Sequence, residues 1–297
     1  MRRAVQDKWP VRFTVYSRNE QIQAKCKRMF PETRYILGDV RDTERLGLAM
    51  LGHDYVIHAA AMKFIPEGEL NASECVGVNI DGARSVVSAA RHVGVDRVVG
   101  ISTDKAAQPV NIYGMTKAVM ERLFADANYE GHTTFTTCRY GNVIGSTGSV
   151  VPVMMQQWHE ERCVKITDPD MTRFWMSVDN AVDTIVQAAV AHPGVTIVPH
   201  PFSATMHDVA FAVLQYLDAP ITDGLVKIVG RRPGEKMHED LVSRYENLRS
   251  RNVGGYIAIY PPGNEDYANE RPTISSDTAH HVNPQTLAEW IADAVTV

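Results

Sequence analysis

Residues 97–117 read RVVGISTDKAAQPVNIYGMTK, and the fold follows from that line. Arg97–Ile101 is a short apolar run of the kind that forms a strand buried on both faces of a parallel sheet. Ser102, Thr103, Asp104 and Lys105 stand where that strand ends. In an open α/β sheet, ligands bind beyond the carboxyl ends of the strands. Tyr113 comes next, and Lys117 follows it by four residues, so a helix opening at Tyr113 puts both on one face. A lysine ammonium near a phenol favours the phenolate, which is a usable base near neutral pH. Thr103, Asp104, Lys105, Tyr113 and Lys117 are therefore the candidate catalytic residues. The plain alternatives stand beside this: a chance Tyr-x-x-x-Lys, Asp104 as a helix cap, and Lys105 as a solvated surface charge.

Outward from that segment the pattern is strand, helix, strand. Residues 1–8 read as the last turns of a helix, 11–16 as a strand, and the chain to about residue 30 as a helix. Strands are expected at 34–37, 54–59, 96–101 and 133–138, with a long helix over 72–93 and another over 113–128. Several strands are continuous hydrophobic runs, which argues for an α/β fold with a Rossmann-like, doubly wound parallel sheet. After about residue 145 the rhythm loosens and prolines punctuate it. Helices are expected at 149–162, 180–191, 205–216 and 287–295, strands at 195–198 and 225–229, and a loop over 254–269 around one strand at 256–260. The expected division is a dinucleotide-binding domain over 1–145 and a smaller α/β substrate-binding subdomain over 146–297, with some exchange of chain between them.

The bulk properties narrow the classes. The 297 residues are 44% hydrophobic and 22% charged, as in a globular protein. A net charge of −5 gives no general basic surface for nucleic acid. Cys26, Cys75, Cys138 and Cys163 are scattered without metal spacing, and His280-His281 is the one histidine pair, so no metal site is expected. No apolar run has the length of a membrane span and the N-terminus has no secretory apolar core, so a cytoplasmic protein without a membrane anchor is expected.

Eight segments carry a resemblance in order along the chain: YSRNE (16–20), GDVRD (38–42), HAAAMK (58–63), STDKA (102–106), NIYGMTK (111–117), RYGNVIGSTGSVVP (139–152), TDPDMTRFW (167–175) and RRPGEKMHE (231–239). The chain resembles the extended short-chain dehydrogenase/reductases, and within them the configuration-inverting UDP-N-acetylglucosamine 4,6-dehydratases of the polysaccharide-biosynthesis group. The resemblance implies a lyase that oxidises the sugar at C4, eliminates water across C5–C6 and returns the hydride to C6. It implies that Tyr113, supported by Lys117, deprotonates the C4 hydroxyl and that Thr103 hydrogen-bonds it. Lys105 would take and return the C5 proton, and Asp104 would protonate the departing C6 hydroxyl. Related retaining enzymes lack the tyrosine and carry a membrane-bound extension.

The same resemblance implies a nicotinamide cofactor held by Ser17, Arg18, Asp39, Val40, Ala59, Ala60, Lys63, Asn79, Tyr113 and Lys117. An arginine after the strand that meets the adenosine ribose favours NADP, with NAD as the alternative. The UDP-sugar, needing cations for its diphosphate, is expected to meet Lys63, Asn142, Arg173, Arg232 and Glu235. The plain alternative has Arg173, Arg231 and Arg232 paired with Asp170, Glu235 and Glu239. A homo-oligomer, dimer or hexamer, is implied. Two other functions remain open: a catalytically impaired sugar-nucleotide-binding remnant, and a UDP-sugar 4-epimerase, which would need Tyr113 and Lys117 but not Asp104 and Lys105.

One departure stands out. The family opens with a strand and a glycine-rich turn, roughly TGGTGxxG, whose helix N-terminus holds the pyrophosphate. This sequence has neither. That strand is central in the sheet, so its loss would expose two edges in the middle and remove most of the phosphate site. The expectation is a chain truncated relative to a longer product, because every downstream catalytic position is present. The alternative is a natural remnant with a rebuilt sheet.

Overall fold

In the computed structural model, which describes residues 1–146, 148–267 and 271–295, strands and helices alternate from the start. Helix α1 (Arg2–Gln6) precedes β1 (Thr14–Ser17), α2 (Glu20–Met29), β2 (Arg34–Leu37), α3 (Thr43–Met50) and β3 (Tyr55–His58). Then come α4 (Ile65–Leu70), α5 (Ala72–Val76), α6 (Gly82–Val93), β4 (Arg97–Thr103), α7 (Ile112–Asp126), β5 (Thr134–Tyr140) and β6 (Asn142–Val143). The middle of the chain supplies α8 (Val150–Glu161), β7 (Val164–Ile166), β8 (Thr172–Met176), α9 (Val178–Ala189), β9 (Thr196–Pro199), β10 (Phe202–Thr205) and α10 (Met206–Tyr216). The last part is β11 (Val226–Ile228), β12 (Asp240–Val242), α11 (Arg244–Asn247), β13 (Ser250–Val253), β14 (Tyr256–Ile259), β15 (Ile274–Ser275), β16 (His280–His281) and α12 (Pro284–Val295).

The central sheet has six strands in the order β13-β14-β9-β5-β4-β3. β3, β4, β5 and β9 are parallel. The β4 residues alternate between two cores: Val98 packs with Val86, Phe124 and Phe135 under α6 and α7, and Val99 packs with Cys138, Ala188 and Ile197 under α9. Helices thus cover both faces, which is why β4 reads as an unbroken apolar run, and the sheet is doubly wound. Strands β9, β13 and β14 reach this sheet from the second half of the chain, while β6 leaves the first half to join a second sheet, β16-β10-β8-β6. That second sheet packs on α8, α10 and α12 through Met154, Trp175, Val213 and Ile291.

Two departures from the sequence reading stand out, with one feature it expected. The helix expected over 72–93 is interrupted by a wide π-type turn at Gly77–Asp81. There Asn79 turns inward, accepting from Met62 N–H at 2.8 Å and donating to Met62 C=O at 3.0 Å and to the Thr116 hydroxyl at 2.9 Å. The strand expected at 256–260 is present as β14, but the sequence reading missed its partner β13; the two form a hairpin because Gly254 and Gly255 both take positive φ (56° and 84°), as tight turns matched to strand twist require. Residues 268 and 269 of the loop expected over 254–269 lie outside the described residues, as does Thr147 of the RYGNVIGSTGSVVP segment. Finally, the parallel pair β1–β2 stands apart, with no hydrogen-bonded ladder to β3 among the described residues. β1 and β3 each keep one unpaired edge, and Tyr55 and Ile57 of β3 are 57% and 52% exposed. A side-chain contact, His53 Nε2 to Thr14 Oγ1 at 2.9 Å, joins the two pieces. Among the described residues no helix is long and apolar enough to cross a membrane.

Candidate active site

β4 delivers Thr103 to the edge of the core, and the chain tightens into a 3₁₀ turn over Asp104–Ala106. Asn111 then caps α7, its Oδ1 accepting from Gly114 N–H at 2.8 Å. Gly114 fixes how closely the helix approaches: a Cβ there would lie 2.2 Å from the Lys105 carbonyl oxygen. That contact sets Tyr113, the second residue of α7, over the strand-end turn. Thr103 is hydrogen-bonded to the Tyr113 phenol and donates to Asp104 Oδ1 at 2.9 Å. Lys105 Nζ lies 3.0 Å from the same Asp104 oxygen. Asp104 is fully buried, and its Oδ2 has no protein partner. Four of the five candidate catalytic residues therefore meet in one contiguous cluster.

Lys117 is one helical turn on, 2% exposed, with its Nζ 3.2 Å from the Met120 sulfur. Burial pulls its ammonium down to about 8, against the opposing pull of Glu121. The Tyr113 phenol, in contrast, is pushed up to about 12 by burial, which outweighs the charge of Lys105 and the Thr103 hydrogen bond. Burial thus favours the neutral Tyr113 phenol, and the charge of Lys105 opposes it. Burial disfavours the Lys105 ammonium too, but the flanking Asp104 and Glu239 carboxylates outweigh it and raise Lys105 above the usual lysine range.

Two further groups shape this centre: Glu239, which the sequence reading named only as a plain partner of the arginines, and Arg139, to which it gave no role. Glu239 is buried, with Oε1 3.5 Å from Lys105 Nζ and 3.9 Å from Arg173 Nε. Arg139, 2% exposed, binds Glu121 on α7 and Glu246 on α11 through both edges of its guanidinium. Glu121 continues the stripe of Tyr113 and Lys117 by one more turn, a signal available in the spacing. Nothing in the sequence marks Arg139 as buried.

The residues expected at a cofactor fall in two places. At the carboxyl ends of β1 and β2, Tyr16 donates to the Asp39 carbonyl oxygen at 2.8 Å and Gln23 ties Ser17 to Ile36. Arg18 lies 3.3 Å and Arg41 2.7 Å from Asp39 Oδ2, and both reach Glu74. Arg41 above all holds the Asp39 carboxyl well below its ordinary range. Val40 packs on α6 at Gly82, where a Cβ would lie 2.6 Å from it. After β3, Ala59, Ala60 and Lys63 are exposed, while His58 is buried with Nε2 unpartnered and kept neutral by burial, down to about 3. Asn79 is fully buried and ties the post-β3 loop to α7 rather than facing a ligand. These residues suit the adenosine end and the nicotinamide end of a dinucleotide. Among the described residues no glycine-rich turn opens a helix between them.

The substrate candidates are also spread. Asn142 lies on β6, paired with Trp175 of β8. Arg173 is 7% exposed, and its guanidinium donates to the carbonyls of Thr172, Met237 and Lys236, so it fastens the 236–237 segment instead of standing in open space. Arg232 is exposed beside Glu235, whose carboxylate accepts from Arg232 N–H at 3.1 Å. Arg231 Nε is 3.8 Å from Asp168. Among the described residues no group of three His, Cys, Asp or Glu side chains is arranged to hold a metal.

The chain is similar to known proteins. The family described as "Polysaccharide biosynthesis protein" matches residues 2–261. An inverting UDP-N-acetylglucosamine 4,6-dehydratase of Campylobacter jejuni subsp. jejuni serotype O:2 is 40% identical over 259 residues, covering 85% of this chain and 75% of its own. A UDP-glucose 4-epimerase of Rickettsia bellii is 36% identical over 257 residues, with 84% and 74% covered. The solved structure of Pen from Bacillus thuringiensis superposes with a TM-score of 0.88 at 32% identity, covering 98% of this chain and 93% of that one.

Proposed function

The chain belongs to the polysaccharide biosynthesis protein family, and from that premise we propose that it is a nicotinamide-dependent, inverting dehydratase of UDP-N-acetylglucosamine. The observation that carries this reading is the Asp104–Lys105 pair, 3.0 Å apart beneath the Tyr113 phenol. Oxidation at C4 needs only a base; a β-elimination also needs an acid for the leaving hydroxyl and a base for the carbon acid.

A bound nicotinamide supplies the acceptor for the C4 hydride and its return to C6. The solved dTDP-glucose 4,6-dehydratase of Streptomyces venezuelae, similar in fold, holds NAD. Here Arg18 and Arg41 at the β1 and β2 ends favour the 2′-phosphate of NADP. Ser17, Asp39 and Val40 would flank the adenosine, Ala59, Ala60 and Lys63 the path between, and Tyr113 and Lys117 the nicotinamide end, with Asn79 bracing the loop.

The chain's own residues move the protons. Tyr113 must first release its own phenol proton to solvent, a step that the Lys105 charge favours and burial opposes; as phenolate beside Thr103 it then takes the C4 hydroxyl proton. In the ion-paired state Lys105 holds the proton and Asp104 does not. A shift of that proton along the 3.0 Å contact leaves a free amine and a neutral carboxyl, the base and acid that elimination requires. Lys105 then takes the C5 proton while Asp104 gives its proton to the C6 hydroxyl, which leaves as water, and the pair returns to its ionic form. Lys105 afterwards returns a proton to C5, and inversion requires the unsaturated 4-ketosugar to present its other face. Arg232 and Glu235, and separately Asn142 on β6, would meet the diphosphate and sugar, and Arg173 fastens the 236–237 stretch that follows Arg232 and Glu235.

The test is incubation of the purified chain with UDP-N-acetylglucosamine and NADP or NAD, followed by mass spectrometry and NMR. Loss of one water, with solvent deuterium at C5, is expected, and Lys105→Ala abolishes it. Formation of the C4 epimer without water loss, unchanged in Lys105→Ala, would identify an epimerase instead.

A further inference from the structure

Elimination gives Asp104 and Lys105 their work, yet a third ionisable group, Glu239, shares the cluster. It comes from the far half of the chain, and its backbone is fixed on both sides by Ser276: Glu239 N–H donates to Ser276 Oγ and Glu239 C=O accepts from Ser276 N–H, each at 2.9 Å. Its carboxylate is 3% exposed and its Oε2 has no protein partner. The groups facing Lys105 are Asp104 on its own turn, Tyr113 from α7, Arg173 from β8 and Glu239. Two carboxylates and two cations make a buried set with no net charge. A buried charge without such compensation is strongly disfavoured.

The segment before Glu239 is bound across to the same turn. Asn111 Nδ2 donates to Gly234 C=O at 3.1 Å and Lys236 Nζ to Ala107 C=O at 3.1 Å. Arg173 donates to Lys236 C=O at 2.9 Å and Met237 C=O at 3.2 Å. Asn111 is the cap of the helix that carries Tyr113, so the segment touches the acid–base turn at both of its ends.

We propose that Glu239 is a positioning residue for Lys105: carried in by the Arg232–Glu239 segment, its carboxylate holds the amine against Asp104 and makes the acid–base pair conditional on docking of that segment. This rests on the dehydratase reading for its purpose but not for its test. Glu239 takes no part in the proton transfers; it supplies the anion that keeps the proton on Lys105 until substrate rearranges the cluster.

The experiment is NMR of ¹⁵N-lysine-labelled full chain, with the Lys105 Nζ signal identified by its loss in Lys105→Arg. Wild-type Lys105 is expected to titrate above the ordinary lysine value of about 10.4. In Glu239→Gln its midpoint falls by at least about 1, the usual effect of removing an opposite charge at this range, and in Glu239→Asp it stays near wild type. In turnover, Glu239→Gln shifts the pH profile of kcat to lower pH, with KM changed less than about threefold, which a purely structural role would not produce. A Glu239→Gln midpoint equal to wild type, or Glu239→Asp behaving as Glu239→Gln, overturns the assignment. If Glu239→Gln does not fold, a wild-type Lys105 that titrates at or below the ordinary value overturns it alone. Because the titration needs no substrate, a chain that passes it yet does not turn over UDP-N-acetylglucosamine refutes the dehydratase reading and leaves the positioning role standing.

Discussion

Replacing Arg139 with methionine tests the electrostatics of the core directly. Arg139 makes five hydrogen bonds: Nε and Nη2 to Glu121 at 2.9 and 2.5 Å, Nη1 and Nη2 to Glu246 at 3.0 and 2.7 Å, and Nη1 to Leu241 C=O at 3.0 Å. Methionine fills the stem but leaves two carboxylates facing each other in the interior, with Arg249 at 3.9 Å from Glu246 as a weak substitute. Breaking one buried pair costs about 3–5 kcal/mol. At about 2–4 °C per kcal/mol for chains near this size, the thermal midpoint should fall by roughly 10 °C at pH 7. The pH dependence supplies the second half of the test. In the wild type, burial raises Glu246 but Arg139 and Ser243 outweigh it and bring it down to about 2, from 4.5. A depressed carboxyl contributes stability above its unfolded value and loses it as pH falls from about 4.5 toward 2. Without Arg139, burial acts unopposed by that charge, the carboxyl shifts upward, and the variant recovers as it is protonated. The deficit measured by circular dichroism melts should therefore shrink as pH falls from 7 toward 5. A loss under about 1 kcal/mol, the value of an exposed pair, at every pH would refute the reasoning.

Other substitutions follow the same logic. Gly114→Ala puts a Cβ against the Lys105 carbonyl, so α7 must shift; urea unfolding should show a loss of about 1–3 kcal/mol, and a variant as stable as wild type would contradict the close packing. Asn79→Ala strands the Met62 N–H and takes one donor each from the Met62 C=O and the Thr116 hydroxyl, which keeps its bond to the Tyr113 carbonyl, and about 1–3 kcal/mol should be lost in the same assay. Tyr113→Phe should keep the melting temperature within about 2 °C while water loss from UDP-N-acetylglucosamine slows at least about 100-fold; unchanged turnover would remove Tyr113 from the chemistry.

Much of this architecture was legible in 97–117. An apolar run followed by Ser-Thr-Asp-Lys fixes a buried parallel strand and its polar end, and the Tyr113–Lys117 spacing fixes one helix face. The same local patterns do not report partners from afar. Glu239, Glu246 and Arg173 bind groups 63 to 134 residues away, and whether an arginine serves a diphosphate or three backbone carbonyls depends on where a distant loop ends. Tyr113 shows the limit from the other side. Its neighbours could be named from the sequence, but whether burial or a nearby ammonium wins depends on depths that periodicity does not encode. The interruption at Asn79 is of that kind too, since a polar side chain facing inward is set by the loop it must satisfy.

The unpaired edges of β1 and β3 carry a consequence of a different sort. A ladder edge recognises backbone, not side chains, so its selectivity is nearly blind to sequence. Where the turn at Asp104–Ala106 presents charged side chains at set distances, these edges present, among the described residues, only backbone N–H and C=O groups.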